Sequence, residues 1–230
     1  MSAFTNQFIR KNNLSEQDVM RMYQLIDSYY ENITPKEFLR TLAKIDYVFL
    51  VRGEQDSILA YITLQFIHMP DKKQNIYGLL AGDVITHKDY MADTNIFMEA
   101  ISSYHLQVHK HRACYVYLAC KDARTYQMFQ ETFYHCYPNQ KEKTPLYAKK
   151  LINLFGEYYF HHEFEKSTGL IKHICFPRRI KENRMVTYRE AWMAESEFFY
   201  QKNPEYQKGY ELICVAKLSE NKSNGSKNLT

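Results

Sequence analysis

Glycine, paired cysteines and long apolar runs are scarce in this chain, and each scarcity excludes a class of protein. Only 7 of its 230 residues are Gly, which argues against a protein built on several glycine-rich phosphate loops. Its 5 Cys are scattered without a CxxC pair, as expected for reduced, buried thiols. No apolar run approaches the roughly 18 residues that cross a bilayer, and no signal-peptide pattern opens the sequence. We therefore expect a cytoplasmic protein without a membrane span, with export lacking a cleavable signal left open.

The chain also lacks a large excess of either charge, since it has 30 Lys and Arg and 26 Asp and Glu, for a net charge of +4. Basic residues are interleaved with acids and clearly outnumber them only in segments 141–150 and 177–184. A nucleic-acid-binding protein usually shows a clearer basic stripe, so we expect no nucleic-acid partner and interpret both segments as solvated surface. Aromatic residues are abundant, with 20 Tyr and 14 Phe, and predict a core rich in rings.

Two helices are predicted near the start of the chain from their capping patterns. Ser15 is the expected N-cap of the first, with Asp18 at its third helical position. The second has Thr34 as N-cap, Pro35 at the first helical position and Glu37 at the third.

Three strands are predicted next, over residues 47–51, 58–69 and 76–86, and short turns between them favour antiparallel pairing. Gly82 and Asp83 interrupt the third strand. Because glycine within a strand often marks a bulge or a close backbone approach, this position is a candidate irregularity in the sheet.

Residues 114–138 predict a buried strand that runs directly into an aromatic-rich helix. The strand covers 114–120, and Asp122 is the expected N-cap of a helix in which Tyr126, Phe129 and Phe133 recur at helical spacing. A strand that passes into a helix at a polar break is where α/β folds place their ligands.

The element order predicts an α/β protein with a mixed sheet (α+β). The step from strand 76–86 through a helix to strand 114–120 should be a parallel crossover. We expect one domain over residues 1–220, with a helix–strand annex at about 145–220 and a polar, disordered tail at 221–230. The other predicted elements are helices over 93–110, 146–160 and 191–201, and strands over 169–176 and 210–218.

Several segments, in this order, resemble a little-studied group of bacterial GNAT-like acyltransferases. GNAT enzymes transfer an acyl group from a CoA thioester, commonly to an amine, so the resemblance implies a GNAT-like fold and that activity. The resembling segments are 46–51 (DYVFLV), 80–86 (LAGDVIT), 117–138 (an aromatic strand, then RTYQMF and FYHCYP), 144–145 (TP) and 197–218 (EFFYQKNPEYQKGYELICVAKL).

The resemblance also implies where acetyl-CoA or another acyl-CoA binds. The strand ending at Ile85 and Thr86 would splay from strand 114–119, and the pantetheine arm would bond to strand backbone in the splay. The helix after Met91 would point its N-terminus at the pyrophosphate, where free N–H groups and the helix dipole favour an anion. The expected cofactor-binding residues are Val84, Ile85, Thr86, Asp93, Thr94, Asn95 and Arg124.

The segment at 90–96 departs from the family's pattern, because it carries neither Gly nor Arg or Lys, and Asp93 adds a negative charge. At an effective dielectric of about 20, a like-charge contact near 4 Å costs on the order of 4 kcal/mol. This departure favours a second hypothesis, a GNAT-shaped scaffold that has lost catalysis and binds a protein or small ligand. A third is another thioester enzyme, such as a hydrolase or decarboxylase.

Two residues are candidates for proton transfer during acyl transfer to a small amine or hydroxyl acceptor. The resemblance implies Tyr126 as the acid for the departing thiolate, and Asp83, in an otherwise apolar strand, is the candidate base. The donor would be CoA or an acyl carrier protein, and attack would occur directly within a ternary complex. The structural alternatives are a core ring for Tyr126 and a bulge-capping side chain for Asp83.

Metal and covalent chemistry have weaker candidates. His105 and His109 lie one helical turn apart, a spacing that can hold a metal, but neither acid nor Cys accompanies them. Cys120 lies at a strand end without a predicted His partner, so buried packing is its preferred interpretation. We therefore expect no metal cofactor.

Overall fold

A nine-stranded mixed sheet organises the computed structural model, which describes residues 4–71, 75–87, 90, 95–107, 115–172, 178–181 and 193–222. The strands are β1 (Thr5–Arg10), β2 (Tyr47–Arg52), β3 (Ile58–Pro70), β4 (Asn75–Thr86), β5 (Tyr115–Cys120), β6 (Cys136–Tyr137), β7 (Phe164–Glu165), β8 (Leu170–Ile171) and β9 (Glu211–Lys217). The α-helices are α1 (Glu16–Tyr29), α2 (Pro35–Leu42), α3 (Asn95–Gln107), α4 (Ala123–Thr132), α5 (Leu146–Phe160) and α6 (Met193–Lys202).

The strand order in the sheet is β1-β2-β3-β4-β5-β9-β8-β7, and β6 pairs with β9 beside β8. The pairing of β4 with β5 is parallel, and the other seven pairings among the described residues are antiparallel. The predicted mixed α/β sheet, with its parallel step from β4 through α3 to β5, is confirmed.

Local capping explains where the helices begin. The Ser15 hydroxyl accepts from the Asp18 backbone N–H at 3.1 Å, and Thr34 accepts from that of Glu37 at 3.2 Å, so both predicted capping boxes form. The Asp122 carboxylate caps α4 by accepting from the Thr125 backbone N–H at 2.7 Å. Each cap satisfies a backbone donor that the helix itself leaves unpaired.

Apolar side chains pack on both faces of the sheet. On one face, α3, α4 and α6 bury rings that include Phe97, Phe129 and Phe199. On the other face, α1 and α2 cover β2 and β3, while α5 covers the neighbourhood of β5 and β9. The apolar side chains under α1 and α2 and those under α5 form two separate clusters on this face of the sheet. None of the helices that the structure describes is both long and apolar enough to cross a membrane.

The region from 145 to 220 is less of an annex than the sequence suggested, because β9 pairs with β5 over six residue pairs in the middle of the sheet. The strand predicted over 169–176 is described only as β8, since 173–177 lie outside the described residues. Asn221 departs from the expected disordered tail. It is 1% exposed, its side chain donates to the Leu218 carbonyl at 2.8 Å, and it bridges to Phe133.

Candidate functional site

The two parallel strands at the centre of the sheet, β4 and β5, are paired along only part of their length. Pairing of β4 with β5 runs from Gly78 opposite Tyr115 to Ala81 opposite Leu118 and then stops. On its other side β4 continues to pair with β3 as far as Thr86. Residues 84–86 therefore have a strand partner on one edge only, within the described part of the chain. This is the splay that the resemblance predicted.

A β-bulge marks the point of parting. Ala81 pairs with Leu64 and Val84 with Ile62, so Gly82 and Asp83 together face the single residue Thr63. A Cβ added at Gly82 would lie 2.6 Å from the Thr63 hydroxyl, which only glycine avoids. That hydroxyl also accepts from the Asp83 backbone N–H at 2.8 Å. The irregularity predicted from glycine within a strand is confirmed, and it combines a bulge with a close approach.

The side chain of Asp83 points away from the α4 face and forms an ion pair. Its Oδ1 lies 3.1 Å from Nη1 of Arg178, whose Nη2 donates to the Thr41 hydroxyl of α2 at 3.1 Å. Asp83 is 7% exposed. Burial alone would lower the pKa of Arg178, but the carboxylates of Asp83 and Glu211 raise it above its usual value. The bulge is thus capped by Thr63, and the Asp83 carboxylate is held from outside the strand.

Buried tyrosines adjoin this pair. Tyr30 and Tyr61 belong to the core on the α1–α2 face, and burial raises the pKa of each, with the Asp83 charge adding to the effect. The Tyr61 hydroxyl is buried and has no hydrogen-bond partner among the described residues. An unpaired buried hydroxyl costs free energy, so it is a natural contact for a polar ligand group.

A second set of charges surrounds the carboxyl end of β5. Lys121 pairs with Glu211 at 3.2 Å, and its ammonium lies 5.1 Å from the centre of the Tyr30 ring. The Asp122 carboxylate, besides capping α4, accepts from the Tyr29 hydroxyl at 3.0 Å. The predicted polar break after this strand is therefore a network that links α1, α4 and β9 beside the splay.

The predicted cofactor-binding residues are partly brought together. Arg124, at the start of α4, is 7% exposed and donates from Nη1 to the Thr86 hydroxyl at 2.6 Å, so these two residues meet at the open end of the splay. The side chain of Ile85 is buried in the core on the α1–α2 face, and that of Val84 on the α4 face; the two residues are 0% and 7% exposed.

The pyrophosphate segment cannot be placed in the same way. Asp93 and Thr94 lie outside the described residues, and Asn95 is the first described residue of α3. Their predicted role at a helix N-terminus stays a prediction.

Tyr126 is not brought to Asp83. It packs on the opposite face of the sheet, 1% exposed, against the rings of Phe198 and Phe199, and its hydroxyl donates to the Pro138 carbonyl at 3.1 Å. Burial, with smaller contributions from nearby cysteines, raises its pKa well above the usual value. This environment favours the alternative weighed for Tyr126, a core ring. Helical spacing predicted its burial but could not choose the face.

Cys120 is also a packed side chain. It is 0% exposed, its sulfur lies 3.7 Å from that of Cys214, and burial raises its pKa, so the reactive thiolate is disfavoured. Within the described part of the chain, no three His, Cys, Asp or Glu side chains form a group that could hold a metal ion. His109, one of the two predicted metal candidates, lies outside that part.

Arg178 and Tyr61 are the site residues that sequence reasoning missed. Arg178 belongs to the basic segment 177–184, which was interpreted as solvated surface. No local pattern in that segment singles out Arg178, because its partner Asp83 lies 95 residues away in the sequence. Tyr61 alternated within a strand like any core residue, and its unpaired hydroxyl has no sequence signature.

No protein-family model and no curated protein matches the chain. Solved acyltransferase structures resemble parts of it. A probable N-acyltransferase from Enterococcus faecalis V583 is 13% identical over 57% of this chain and 33% of its own, with a TM-score of 0.43. Saccharomyces cerevisiae N-myristoyltransferase is 13% identical over 53% of this chain and 30% of its own, with a TM-score of 0.41. An aminoglycoside acetyltransferase from an uncultured soil metagenomic sample is 12% identical over 62% of this chain and 92% of its own, with a TM-score of 0.43.

This chain thus spans less than two thirds of the first two proteins. Likeness at this level assigns no activity. The molecule itself shows the features that the resemblance implied: the parallel step from β4 to β5 and the parting of these strands at the bulge.

Proposed function

We propose that this protein transfers an acyl group from a thioester of CoA or of an acyl carrier protein to a small amine or hydroxyl acceptor. The observation that carries the proposal is the parting of β4 from β5 beyond Ala81, with Asp83 at the parting point. Strand backbone that lacks a partner on one edge offers N–H and C=O groups at a regular spacing. The amide groups of a pantetheine arm can complete that edge.

Donor binding is assigned to both ends of the splay. The backbone of Val84, Ile85 and Thr86 would bond to the pantetheine amides, and the buried guanidinium of Arg124 adds positive charge at the open end. Asp93, Thr94 and Asn95 are retained as the proposed pyrophosphate contacts, through their backbone N–H groups.

Asp83 is the proposed base. The acceptor nitrogen or oxygen attacks the thioester carbonyl carbon, its proton passes to the Asp83 carboxylate, and the carbon–sulfur bond breaks to release the thiolate. Arg178 would hold the carboxylate in position from the α2 side, and the Tyr61 hydroxyl, which has no partner among the described residues, would orient a polar acceptor. We assign the thiolate's proton to solvent, because a thiol pKa near 8.5 makes the leaving group a modest base and Tyr126 is already bonded to a carbonyl.

A binding protein without catalysis is the second candidate. The segment at 90–96 lacks Gly and basic residues, which supports weakened binding of a pyrophosphate. In that case the ordered polar network around Asp83 would serve recognition of a ligand or a protein alone.

Titration with acetyl-CoA, longer acyl-CoAs and free CoA separates these candidates. An acyl-CoA at about 100 times its Kd should stabilise the fold by about 2.7 kcal/mol, which corresponds to a rise in Tm of roughly 5–10 °C for a domain of this size. Thiol release with a panel of amines and alcohols, followed by product mass, then tests transfer. Stabilisation without release for any acceptor would favour the binding protein, and hydrolysis without an acylated product would favour another thioester enzyme. Absence of stabilisation by every acyl-CoA and by an acylated carrier protein would overturn the transferase.

A further inference from the structure

The outer edge of β9 has a break that creates a second candidate site, away from the splay. β8 pairs with β9 at Leu212, and β6 pairs with it at Val215, so residues 213–214 between them have no strand partner on this edge among the described residues. One contact crosses the break, the Ile213 N–H to the Gly169 carbonyl at 3.1 Å. A groove of about 310 Å³ opens here, and we name it the β9-edge groove.

Three lysines from different elements line the β9-edge groove. Lys149 comes from α5, Lys166 from the turn between β7 and β8, and Lys202 ends α6. The described lining includes neither Asp nor Glu. Lys166 is partly neutralised by Glu157 at 2.7 Å, and the ammonium of Lys202 lies 5.5 Å from the centre of the Phe198 ring. The groove is therefore positive, with Lys149 and Lys202 as its least neutralised charges.

Hydroxyl groups and an apolar floor complete the groove. Thr144 and Ser167 add hydroxyl donors near the lysines. The floor is formed by Ile152, Leu212 and Ile213, of which Ile152 keeps the most accessible surface at 7% exposed. Ammonium and hydroxyl donors together suit the oxygens of a phosphate or carboxylate, since charge-assisted hydrogen bonds are the stronger ones. The buried aliphatic floor suits a short apolar group attached to that head, and the volume is that of a small ligand.

We propose that the β9-edge groove binds a small organic anion, a phosphate or carboxylate head with a short alkyl body. The site is distinct from the splay, because it lies on the edge of β9 opposite the one that pairs with β5. It does not depend on the proposed acyl transfer, and it needs none of the residues placed there.

Calorimetric titration of the full chain with n-butyl phosphate, n-hexanoate, inorganic phosphate and n-butanol tests the proposal. We expect n-butyl phosphate or n-hexanoate to bind at least several-fold more tightly than inorganic phosphate, because only the organic anions cover the floor. Comparing the affinities of n-butyl phosphate and n-hexanoate shows whether the groove prefers a phosphate or a carboxylate group. We expect n-butanol not to bind. Equal affinity for inorganic phosphate and both organic anions, or binding of none of the anions at 10 mM, would overturn the proposal.

Charge reversal locates the binding. Lys149→Glu and Lys202→Glu should each weaken binding of the preferred anion at least tenfold, since each replaces a charge-assisted hydrogen bond with like-charge repulsion. The matched control is Lys36→Glu on α2, which changes the net charge equally on an exposed residue away from the groove. Circular dichroism melts confirm that all three variants fold, and exposed lysines make that the expected result. An equal loss in Lys36→Glu would mean attraction by net charge alone and would overturn the site.

Discussion

Two buried aspartate–arginine pairs in this protein have the same chemistry and different surroundings. Asp18 and Arg52 lie 2.8 Å apart, and Asp83 and Arg178 lie 3.1 Å apart. Asp18 also accepts from the backbone N–H of Ser15 at 3.1 Å, so this first pair ties the start of α1 to the end of β2. Arg52 lies at a register shift between β2 and β3, and it also pairs with Asp56 at 3.1 Å.

The second pair sits where the sheet is irregular. Asp83 occupies a bulge just beyond Ala81, where the pairing of its strand with β5 ends, and a buried hydroxyl nearby has no partner among the described residues. Both carboxylates are buried to a similar extent, so burial does not distinguish a structural pair from a candidate site. The difference lies in the strand pairing: β2 is paired on both edges at Arg52, whereas β4 has no β5 partner beyond Ala81 among the described residues.

The largest expected effect is on catalysis, from Asp83→Asn. The substitution keeps the size of the side chain but removes the proposed base, so kcat/KM for acyl transfer should fall about 10²–10⁴-fold. Acyl-CoA binding should persist, because the strand backbone in the splay is unchanged. The measurement is thiol release by the folded variant beside a thermal shift with acetyl-CoA.

Asp18→Asn is the matched control for that rate, since it breaks the other pair. At a temperature where both variants are folded, Asp18→Asn should retain the wild-type rate. Equal activity of the two variants would remove the distinction between the pairs and the role of Asp83 as base.

The next effect is on stability, from the same Asp18→Asn variant. Removing one partner of a buried ion pair should lower the free energy of unfolding by about 3 kcal/mol at pH 7. Burial alone would raise the pKa of Asp18, but hydrogen bonds from Arg52 and Ser15 outweigh it and hold the pKa below its usual value. A carboxyl with a lowered folded pKa stabilises the fold above its unfolded pKa of about 3.9 and loses that contribution as the pH falls through the folded value.

Urea unfolding, measured from pH 7 down to the lowest pH at which the protein is folded, checks the direction of this pH dependence. The gap between wild type and Asp18→Asn should narrow as the pH falls below about 4, because only the wild-type carboxyl takes up a proton. Glu16→Gln, on an exposed neighbour in the same helical turn, should change stability by less than about 0.5 kcal/mol. A gap that stays constant with pH would contradict the lowered pKa.

The smallest effect is expected from Tyr126→Phe, which lies on the face of the sheet opposite both pairs. It removes one hydrogen bond to the Pro138 carbonyl, for a loss of about 1 kcal/mol in the free energy of unfolding. The acyl-transfer rate should change less than threefold. A fall of a hundredfold or more, with stability preserved, would restore Tyr126 as the acid for the thiolate.

Features encoded locally could be predicted from the sequence. The N-caps at Ser15, Thr34 and Asp122 depend on residues within one helical turn, and all three form. The bulge at Gly82 was also predictable, because glycine interrupts an otherwise regular strand and only glycine fits beside Thr63. The mixed sheet followed from the element order and the short turns.

Features that depend on distant contacts could not be predicted. Arg178 and Asp83 are 95 positions apart in the sequence, and no local pattern near either residue indicates its partner. The two-residue strands β6 and β7 are too short to show alternation. The face on which Tyr126 packs depends on α6, whose contribution to the core the sequence did not reveal.

The position of β9 has a consequence for how the chain reaches its folded state. β5 is flanked by β4, an early strand, and by β9, whose Leu212 pairs with Cys120. A ribosome therefore exposes β5 long before its second neighbour has been synthesised. Loop closure over such a separation is slow, so this strand spends that interval with an apolar edge available to other chains. We therefore expect the soluble yield to depend on how well this edge is protected during synthesis.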